Sequence, residues 1–451
     1  MKKVLIILPL AFLIIQCNSG KPGESDSDSN NSSLSEQELM TRVQKQTFNY
    51  FWEGAEPNSG LGRERIHTDG VYPRNDQDIV TTGGSGFGLM AILVGVERGF
   101  ITREEALERY QSVVQFLEHA DRFHGAWPHW LNGKTGEVKP FGNKDDGGDL
   151  VETAFLMQGL LTVAEYFKDG NEAEQQLASD INKLWKEVEW DWYTKGGEDV
   201  LYWHWSPNYG WEKDFPVKGY NECLIMYILA ASSPTHPIDK DVYVKGWARG
   251  GDITHDTTYY DLPTVLDHYA NNGDPVGPLF WAHYSYLGLN PKGLTDQFAD
   301  YWKLNQNHAL IHYRYALDNP KEYQGYGKDQ WGFTSSYSVN GYSAHRPGDA
   351  DKGVISPTAA LSSFPYTPEQ SMRFLKYLYT QADSLVGKYG PYDAYSHEHN
   401  WHTPRYLAID QGPIPVMIEN HRTGMLWDLF MSNPDVQKGL KKLGFTSPEI
   451  Q

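Results

Sequence analysis

Two kinds of helical segment alternate along this chain, and the alternation limits what the chain can fold into. One kind is apolar on every side and follows a loop rich in Gly and Asp, as in FGLMAILVGV and LVETAFLMQGLL. The other kind is charged and has a single apolar face, as in ALERYQSVVQFLEHA and EQQLASDINKLWKEV. A helix that is apolar all round has to be buried, whereas a one-faced helix lies outside. The pattern therefore predicts an inner ring of helices enclosed by an outer ring.

The spacing of apolar residues predicts about twelve helices, and convincing strands are few. No linker interrupts the chain after residue 34. About six inner–outer pairs predict an all-α fold, an (α/α)6 barrel or toroid, and a stack of helical repeats is the alternative architecture. The predicted helices lie near residues 35–52, 84–98, 102–121, 149–168, 172–189, 219–232, 276–288, 296–317, 356–363, 367–386, 412–430 and 434–443.

The N-terminal segment is predicted to lie outside this domain. Two lysines precede an apolar run that ends at Cys17, which is typical of a bacterial lipoprotein signal. We expect a signal peptide at 1–16, a flexible tether rich in Gly, Ser, Asp and Asn at 17–34, and one catalytic-size domain at 35–451. Lipidation of Cys17 would anchor the protein to a membrane in the cell envelope, and plain secretion is the alternative.

Composition narrows the class of ligand. The formal net charge is −19 and aromatic residues make up 14% of the chain. Nucleic acids and other polyanions need Lys and Arg to neutralise them, so the acidic balance argues against such partners. Aromatic rings stack on flat apolar ligand faces. A neutral ligand therefore fits this composition better than a charged polymer does.

Carboxylates cluster where the predicted inner helices begin. In an α/α barrel the inner helices run the same way, so their N-termini and the loops before them meet at one end. Asp145 and Asp149 precede one inner helix, Glu222 opens a later one, and Asp410 precedes another. Glycoside hydrolysis needs two carboxyl groups, one acid and one base or nucleophile. A carboxyl group against apolar walls keeps its proton near neutral pH, so these four residues are candidate catalytic groups.

Each carboxylate also has a structural interpretation. Asp149 alone is typical of a helix N-cap. Asp145 and Asp146 are typical of a solvated loop or a weak Ca²⁺ site. Glu222 is harder to explain in this way, because it lies at the start of an apolar helix, where a solvated face is not expected. Taken together, the cluster favours a functional site.

Three loops are unusually aromatic, around FHGAWPHW, YWHWSPNYGWEKDF and YDAYSHEHNWHTPRY. Such loops are either packing plugs or platforms on which sugar rings stack, and the sequence leaves both interpretations open. The candidate substrate-binding residues are Trp127, Trp130, Trp203, Trp205, Trp211, Tyr395, Trp401 and Arg405.

The sequence indicates neither a metal nor a cofactor. His397, His399 and His402 invite a zinc interpretation, but no HExxH motif accompanies them. Gly83–Gly86 is not followed by the βαβ pattern of a nucleotide site. Only Cys223 remains inside the predicted domain, so a disulfide framework or a cysteine-based zinc site is excluded there.

Several longer stretches resemble a known family. They include GGSGFGLMAI, GAWPHW, DDGGDLVETAFLMQGLL, WSPNYGW, GYNECLIMYILAASSPTHP, GYGKDQWGFTSSY and IDQGPIPVMIENHRTGMLW. Together they resemble the bacterial glycoamylase-like proteins of glycoside hydrolase family 144, over about residues 35–446.

The resemblance implies an (α/α)6 barrel that hydrolyses β-1,2-glucan or its oligosaccharides with inversion at the anomeric carbon and without a metal. It also implies that the essential acidic residues of the family correspond to Asp145, Asp149 and Glu222. We expect Glu222 to be the general acid and Asp145 or Asp149 to position or activate the attacking water, with Asp410 as a further candidate base.

Other functions stay open at this point. Internal cleavage and release of sophorose from chain ends are both compatible with the sequence. A glucoamylase-like hydrolase of another glucan is a second possibility, and a lipoprotein that binds glycan without cleaving it is a third. A polysaccharide lyase is disfavoured, because lyases act on uronates and need a cationic cleft. The sequence does not indicate an oligomeric state.

Overall fold

The structure, a computed structural model, describes residues 34–268 and 273–450. The predicted signal peptide, Cys17 and all but the last residue of the predicted tether lie outside these residues. No helix in the described part of the chain is long and apolar enough to cross a membrane.

Thirteen α-helices form the body of the domain within the described residues. They are α1 (Glu36–Trp52), α2 (Thr82–Glu97), α3 (Arg103–His119), α4 (Leu150–Phe167), α5 (Glu172–Lys186), α6 (Leu224–Ser232), α7 (Tyr301–Asp318), α8 (Pro357–Leu361), α9 (Pro368–Thr380), α10 (Ala408–Gln411), α11 (Pro413–Arg422), α12 (Met425–Met431) and α13 (Pro434–Leu443).

Short strands lie in the loops between these helices. They are β1 (Arg65–His67), β2 (Ile79–Thr81), β3 (Trp130–Asn132), β4 (Val138–Lys139), β5 (Gly148–Asp149), β6 (His204–Trp205), β7 (Thr254–Tyr259), β8 (Leu262–Leu266), β9 (Ser335–Ser338), β10 (Gly341–Ala344), β11 (Val386–Gly387), β12 (Gly390–Pro391), β13 (Tyr395–Ser396), β14 (Trp401–His402) and β15 (Arg405–Leu407). All the pairings between them are antiparallel.

The predicted inner and outer rings are both present. Helices α2, α4 and α6 are buried on nearly every side and pack in that order, and α11 packs on both α8 and α2. The outer helices cover them: α1 lies on α2 and α11, α3 on α2, α5 on α4, α13 on α6, and α9 on α8. The expected all-α fold, an (α/α)6 barrel, is confirmed.

Two inner helices cross with their backbones in contact. A Cβ placed on Gly86 of α2 would lie 2.2 Å from the carbonyl oxygen of Phe155, and one on Gly159 of α4 would lie 2.2 Å from that of Gly86. The glycines therefore let α2 and α4 approach more closely than side chains would allow. This crossing fixes the spacing between α2 and α4.

Three predicted helices differ from those observed. The predicted helix 276–288 is two short 3-10 segments, Leu279–Ala282 and Tyr284–Tyr286. Near its start the Gly277 oxygen accepts hydrogen bonds from His308 and His312, at 2.7 and 2.9 Å. The Trp281 N–H donates to the Pro278 oxygen instead. Long-range donors have replaced the helical pattern there.

The other two differences follow from left-handed glycines. The predicted helix 412–430 is divided into α11 and α12 at Gly424, whose φ of 81° ends a right-handed helix. The predicted helix 219–232 begins only at Leu224, since Gly219 has a φ of 80° and its N–H donates to the Trp247 carbonyl oxygen.

Small sheets tie together the loops at the N-terminal ends of the inner helices. Strand β5 pairs with β6, so that Gly148 faces Trp205 and Asp149 faces His204. Strand β2 pairs with β3, and β1 pairs with β15. Sequence periodicity misses strands of two or three residues, yet these pairings hold the loops that carry the functional side chains.

Candidate active site

A cavity of about 620 Å³ opens where the first turns of α2 and α4 and the segment before α6 meet. We call it the central cavity. Among the side chains that line it are four carboxyl groups, those of Glu64, Asp76, Glu152 and Glu222. Its aromatic and basic lining residues include Arg65, His67, Arg74, His129, Trp130, Phe141, Trp203, Tyr284, Tyr337, Tyr342 and Arg405. This lining combines flat apolar faces with many hydrogen-bonding groups, as a saccharide site requires.

Glu222 lies on this cavity just before α6 and is only 9% exposed. Burial, and after it the nearby charge of Glu152, raises the pKa of Glu222 to about 7. A carboxyl group with such a pKa holds a proton near neutral pH and can donate it to a bound ligand. The structure thus places this predicted residue on the cavity surface.

Glu152, in the first turn of α4, lines the same cavity. Its Oε2 accepts a hydrogen bond of 2.8 Å from the N–H of Gly83, at the start of α2. Burial raises the pKa of Glu152 to about 7, even though the positive charge of His129 opposes the shift. Glu152 is not among the predicted catalytic residues, although it follows Asp149, the N-cap of α4, by three residues.

Asp149 is fully buried behind the cavity surface. Its Oδ1 accepts the Glu152 N–H at 2.9 Å and so caps α4, and its Oδ2 accepts from His129 Nδ1 and Trp203 Nε1, each at 2.9 Å. Although burial opposes ionisation, the hydrogen bond and charge of His129 hold the pKa of Asp149 below its usual value. Asp149 is therefore an ionised anchor with both oxygens occupied.

Asp145 also lies outside the cavity lining. It is 5% exposed, its Oδ2 forms an ion pair with Lys213, and its Oδ1 lies 3.2 Å from His204 Nε2. The adjoining Asp146 accepts hydrogen bonds from Ser206 and Asn208. The two aspartates thus fasten the loop before β5 to the hairpin that contains β6.

Gly147 and Gly148, in the same loop, let the backbone pack closely against neighbouring segments. A Cβ on Gly147 would lie 2.1 Å from the Trp205 carbonyl oxygen, and one on Gly148 would lie 2.0 Å from the Tyr193 hydroxyl. At both positions the group that approaches the glycine closely belongs to the protein, to Trp205 in one case and to Tyr193 in the other.

Asp410 lies on α10 and is 2% exposed, next to Ile409, which lines the cavity. Burial, and after it the charge of Asp393, raises the pKa of Asp410 well above its usual value. Among the described residues no donor reaches either oxygen of Asp410. It is a carboxyl group held immediately behind the cavity wall.

The candidate aromatic residues separate into two groups. Trp130, Trp203 and Arg405 line the cavity. Trp203 stacks on the half-exposed ring of Phe215, with centroids 5.3 Å apart and an angle of 17°. Arg405 lies over the ring of Tyr337 at 4.4 Å.

The remaining candidates do not line the central cavity. Trp127 is fully buried and its Nε1 donates to the Leu117 carbonyl oxygen, so it is a core residue, which corrects the prediction. Tyr395 is only 2% exposed, so it is also a buried residue and its prediction as a substrate-binding residue is corrected as well. Trp205 and Trp211 pack around the surface residue Trp192, and Trp401 lies in β14.

Loops that sequence analysis did not select supply the rest of the lining. Glu64, Arg65, His67 and Asp76 come from the segment before α2, and Arg65 donates to the Tyr337 hydroxyl at 2.9 Å. A signal was available, because the stretch RERIHTDGVYPRND precedes an apolar inner helix just as DDGGD does.

The described residues contain no group of three or more His, Cys, Asp or Glu side chains arranged to hold a metal ion. Of the three histidines considered for zinc, His397 is hydrogen-bonded through Nε2 to the Tyr377 hydroxyl, at 3.0 Å.

An α/α barrel with buried carboxyl groups and aromatic rings at the N-terminal ends of its inner helices is the architecture of a class of glycoside hydrolases, and known proteins agree with that classification. The glycoamylase family model matches residues 214–434. An endo-β-1,2-glucanase from Chitinophaga pinensis, solved with sophorotriose and glucose, is 60% identical, with a TM-score of 0.91 over 92% of this chain and 100% of that one.

Two further relatives extend the comparison. An exo β-1,2-glucooligosaccharide sophorohydrolase from Parabacteroides distasonis is 46% identical over 91% of this chain, which spans 58% of that protein's length. An endo-β-1,2-glucanase from Talaromyces funiculosus is only 11% identical and shares the fold, with a TM-score of 0.62 over 90% of this chain and 92% of that one. The chain belongs to the glycoamylase-like family that includes the Chitinophaga enzyme, which confirms the resemblance.

Proposed function

We propose that this protein is a glycoside hydrolase that cleaves β-1,2-linked glucan or its oligosaccharides with inversion at the anomeric carbon. The observation that carries the proposal is the buried Glu222 carboxyl group, which faces a cavity lined by aromatic rings. The linkage is supported by relatives that act on β-1,2-glucan, at 60% and 46% identity.

In the proposed reaction Glu222 donates its proton to the glycosidic oxygen as the bond from that oxygen to the anomeric carbon breaks. Water attacks the anomeric carbon from the opposite face, and a carboxylate accepts the proton that the water loses. Inversion follows because attack and departure occur on opposite faces of the sugar. The raised pKa of Glu222 favours its protonated form near neutral pH, so that it can act as a proton donor.

Hydrogen bonding restricts which carboxylate can be the base. Both oxygens of Asp149 accept hydrogen bonds, and Asp145, which lies outside the cavity lining, has its Oδ2 paired with Lys213. Glu152 keeps Oε1 free of hydrogen bonds, and Asp410 has no donor among the described residues. We therefore assign the base function to one of these two and a positioning function to Asp145 and Asp149.

We propose internal cleavage as the mode of action. The chain spans the whole of the Chitinophaga endo enzyme at 60% identity but only 58% of the Parabacteroides exo enzyme at 46%. An endo enzyme releases a ladder of oligosaccharides from the first time points, whereas an exo enzyme of the sophorose-releasing type gives one disaccharide.

Product analysis tests this function. Residues 35–451 are incubated with linear β-1,2-glucan, β-1,3-glucan and starch, and the products are separated by chromatography and their anomers followed by NMR. We expect a ladder from β-1,2-glucan with α-anomers formed first. Sugar from starch alone would contradict the linkage, and no product from any glucan would favour a glycan-binding protein instead.

Variants assign the roles. Glu222→Gln should lower kcat by about a thousandfold or more because the proton donor is lost. Glu152→Gln and Asp410→Asn identify the base, since the true base variant loses activity to a similar extent. Glu137→Gln, an exposed residue outside the cavity, is the matched control and should retain full activity.

We also propose that Cys17 is lipidated and anchors the protein in the cell envelope. The positive and apolar residues before Cys17 support this. Partition of the full chain into the detergent phase, lost in Cys17→Ala, would be expected; equal partition of both would contradict the anchor.

A further inference from the structure

A histidine joins two of the buried carboxyl groups at the central cavity. His129 Nδ1 lies 2.9 Å from Asp149 Oδ2, and its Nε2 lies 4.0 Å from Glu152 Oε1. The side chain is 17% exposed, whereas those of Asp149 and Glu152 are 0% and 4% exposed. Both ring nitrogens therefore face carboxyl oxygens inside the protein.

The partners of the ring indicate its protonation. Asp149 is ionised and can only accept hydrogen bonds, so Nδ1 carries a hydrogen. Nε2 faces a second carboxyl group, and a nitrogen with a hydrogen is the favourable group there. The ring also stacks under Phe141, with centroids 4.0 Å apart and an angle of 23°, and an aromatic face stabilises a cation.

The charged groups around the ring act in the same direction. The carboxyl groups that face His129 are Glu152, Asp149 and, at longer range, Asp145. Burial disfavours the charged ring, but the charge of Glu152 and the hydrogen bond to Asp149 outweigh it and raise the pKa of His129 to about 9. On the cavity side, Glu222 is influenced by Glu152 and Asp149.

We propose that His129 is a positioning residue whose doubly protonated ring, held by Asp149, favours the ionised form of Glu152 and thereby favours the proton-bearing form of Glu222. The proposal rests on the function proposed above. The cation favours the ionised form of Glu152, and the resulting negative charge opposes ionisation of Glu222. One histidine thus shifts the ionisation of two neighbouring carboxyl groups in opposite directions.

The chain offers a variant that separates this role from a structural one. In His129→Asn the amide nitrogen takes the place of Nδ1 and keeps a donor for Asp149, while the charge and the group that faces Glu152 are removed. His124 is a matched control, because its Nδ1 lies 2.9 Å from Glu189 Oε2 and its ring stacks on Trp192 at 3.7 Å, away from the central cavity.

The decisive measurement is the pH dependence of kcat/KM on β-1,2-glucan. In His129→Asn we expect the alkaline limb, which reports ionisation of the acid Glu222, to move to lower pH by about one unit, with about a tenfold loss at pH 8. His124→Asn should keep the wild-type profile. A His129→Asn profile that is lowered without moving would overturn the proposal and leave His129 a structural residue.

A second measurement does not depend on activity. With ¹⁵N-labelled histidine, NMR of the wild type at pH 8 should show a doubly protonated ring whose signal is absent in His129→Asn. A neutral His129 at pH 8 would overturn the proposal. If the wild type released no sugar from β-1,2-glucan, the proposed function would fail, and this spectrum would still decide the charge of His129.

Discussion

At the scale of single residues, the carboxyl groups at the cavity differ in what binds them. Asp149 receives three hydrogen bonds and is ionised, and Asp145 is paired with Lys213. Glu222, by contrast, is buried on the cavity surface without a cation, so its charged form is destabilised. The spacing of acidic residues in the sequence located this cluster, but it could not distinguish these three environments, because most of the donors come from other segments.

The cost of burying Glu222 predicts a stability effect that depends on pH. The pKa of this group is about 7 in the folded protein and about 4.5 when unfolded. The ionised form therefore destabilises the fold increasingly as pH rises from 4.5 to 7. We expect Glu222→Gln to gain up to about 3 kcal/mol of unfolding free energy at pH 8 and much less at pH 5.

Urea unfolding at the two pH values measures this difference. Glu137→Gln is the control and should change stability equally little at both, because Glu137 is exposed. An equal effect of Glu222→Gln at pH 5 and pH 8 would mean that Glu222 is not strained by burial.

At the scale of elements, glycines and long-range hydrogen bonds determine where helices end and how they cross, which apolar periodicity does not reveal. Apolar periodicity predicted α2 and α4 as inner helices, and both are. It could not predict that they cross with Gly86 against Phe155, since that depends on which helices become neighbours. Nor could it predict the break at Gly424, because a glycine is compatible with a helix until its φ is known.

The crossing of α2 and α4 predicts that Gly86→Ala is strongly destabilising. The added methyl group would lie 2.2 Å from a backbone oxygen, so the two helices would have to separate. We expect a loss of about 3 kcal/mol of unfolding free energy, measured by chemical denaturation. Gly142→Ala is the control, because nothing lies within 4 Å of that position and no loss is expected. Equal stability of the two variants would refute the close crossing.

At the scale of the whole molecule, buried histidines that do not line the cavity link stability to pH. His308 and His312 both donate to the Gly277 carbonyl oxygen, and the ring of His268 packs against that of His308 at 4.8 Å. Burial lowers the pKa of His308 to about 4 and that of His312 well below its usual value. These rings are neutral in the folded protein, and they become charged only when it unfolds in mild acid.

These buried neutral histidines predict that the protein loses folding stability in acid over a defined pH range. The unfolded histidine binds a proton below about pH 6.5, whereas folded His308 binds one only near pH 4, so stability is lost as pH falls between these values. His308→Gln retains a donor for Gly277. We expect its loss of stability between pH 7 and pH 4.5 to be smaller than that of the wild type, by up to about 3 kcal/mol.

Thermal or urea unfolding across this range provides the test. His119→Gln alters an exposed histidine and should follow the wild-type curve. If His308→Gln lost as much stability in acid as the wild type, the buried histidines would not be the origin of the sensitivity.

The sequence by itself determined the alternation of inner and outer helices, the barrel fold and the clustering of carboxylates at the starts of the inner helices, because burial patterns recur locally along a chain. The tertiary structure alone decided which carboxyl groups face the cavity. It placed His129 between Asp149 and Glu152 and brought the segment before α2 to the same cavity as α6. Such assignments depend on donors and charges that are distant in sequence, and only folding brings them within a few ångströms.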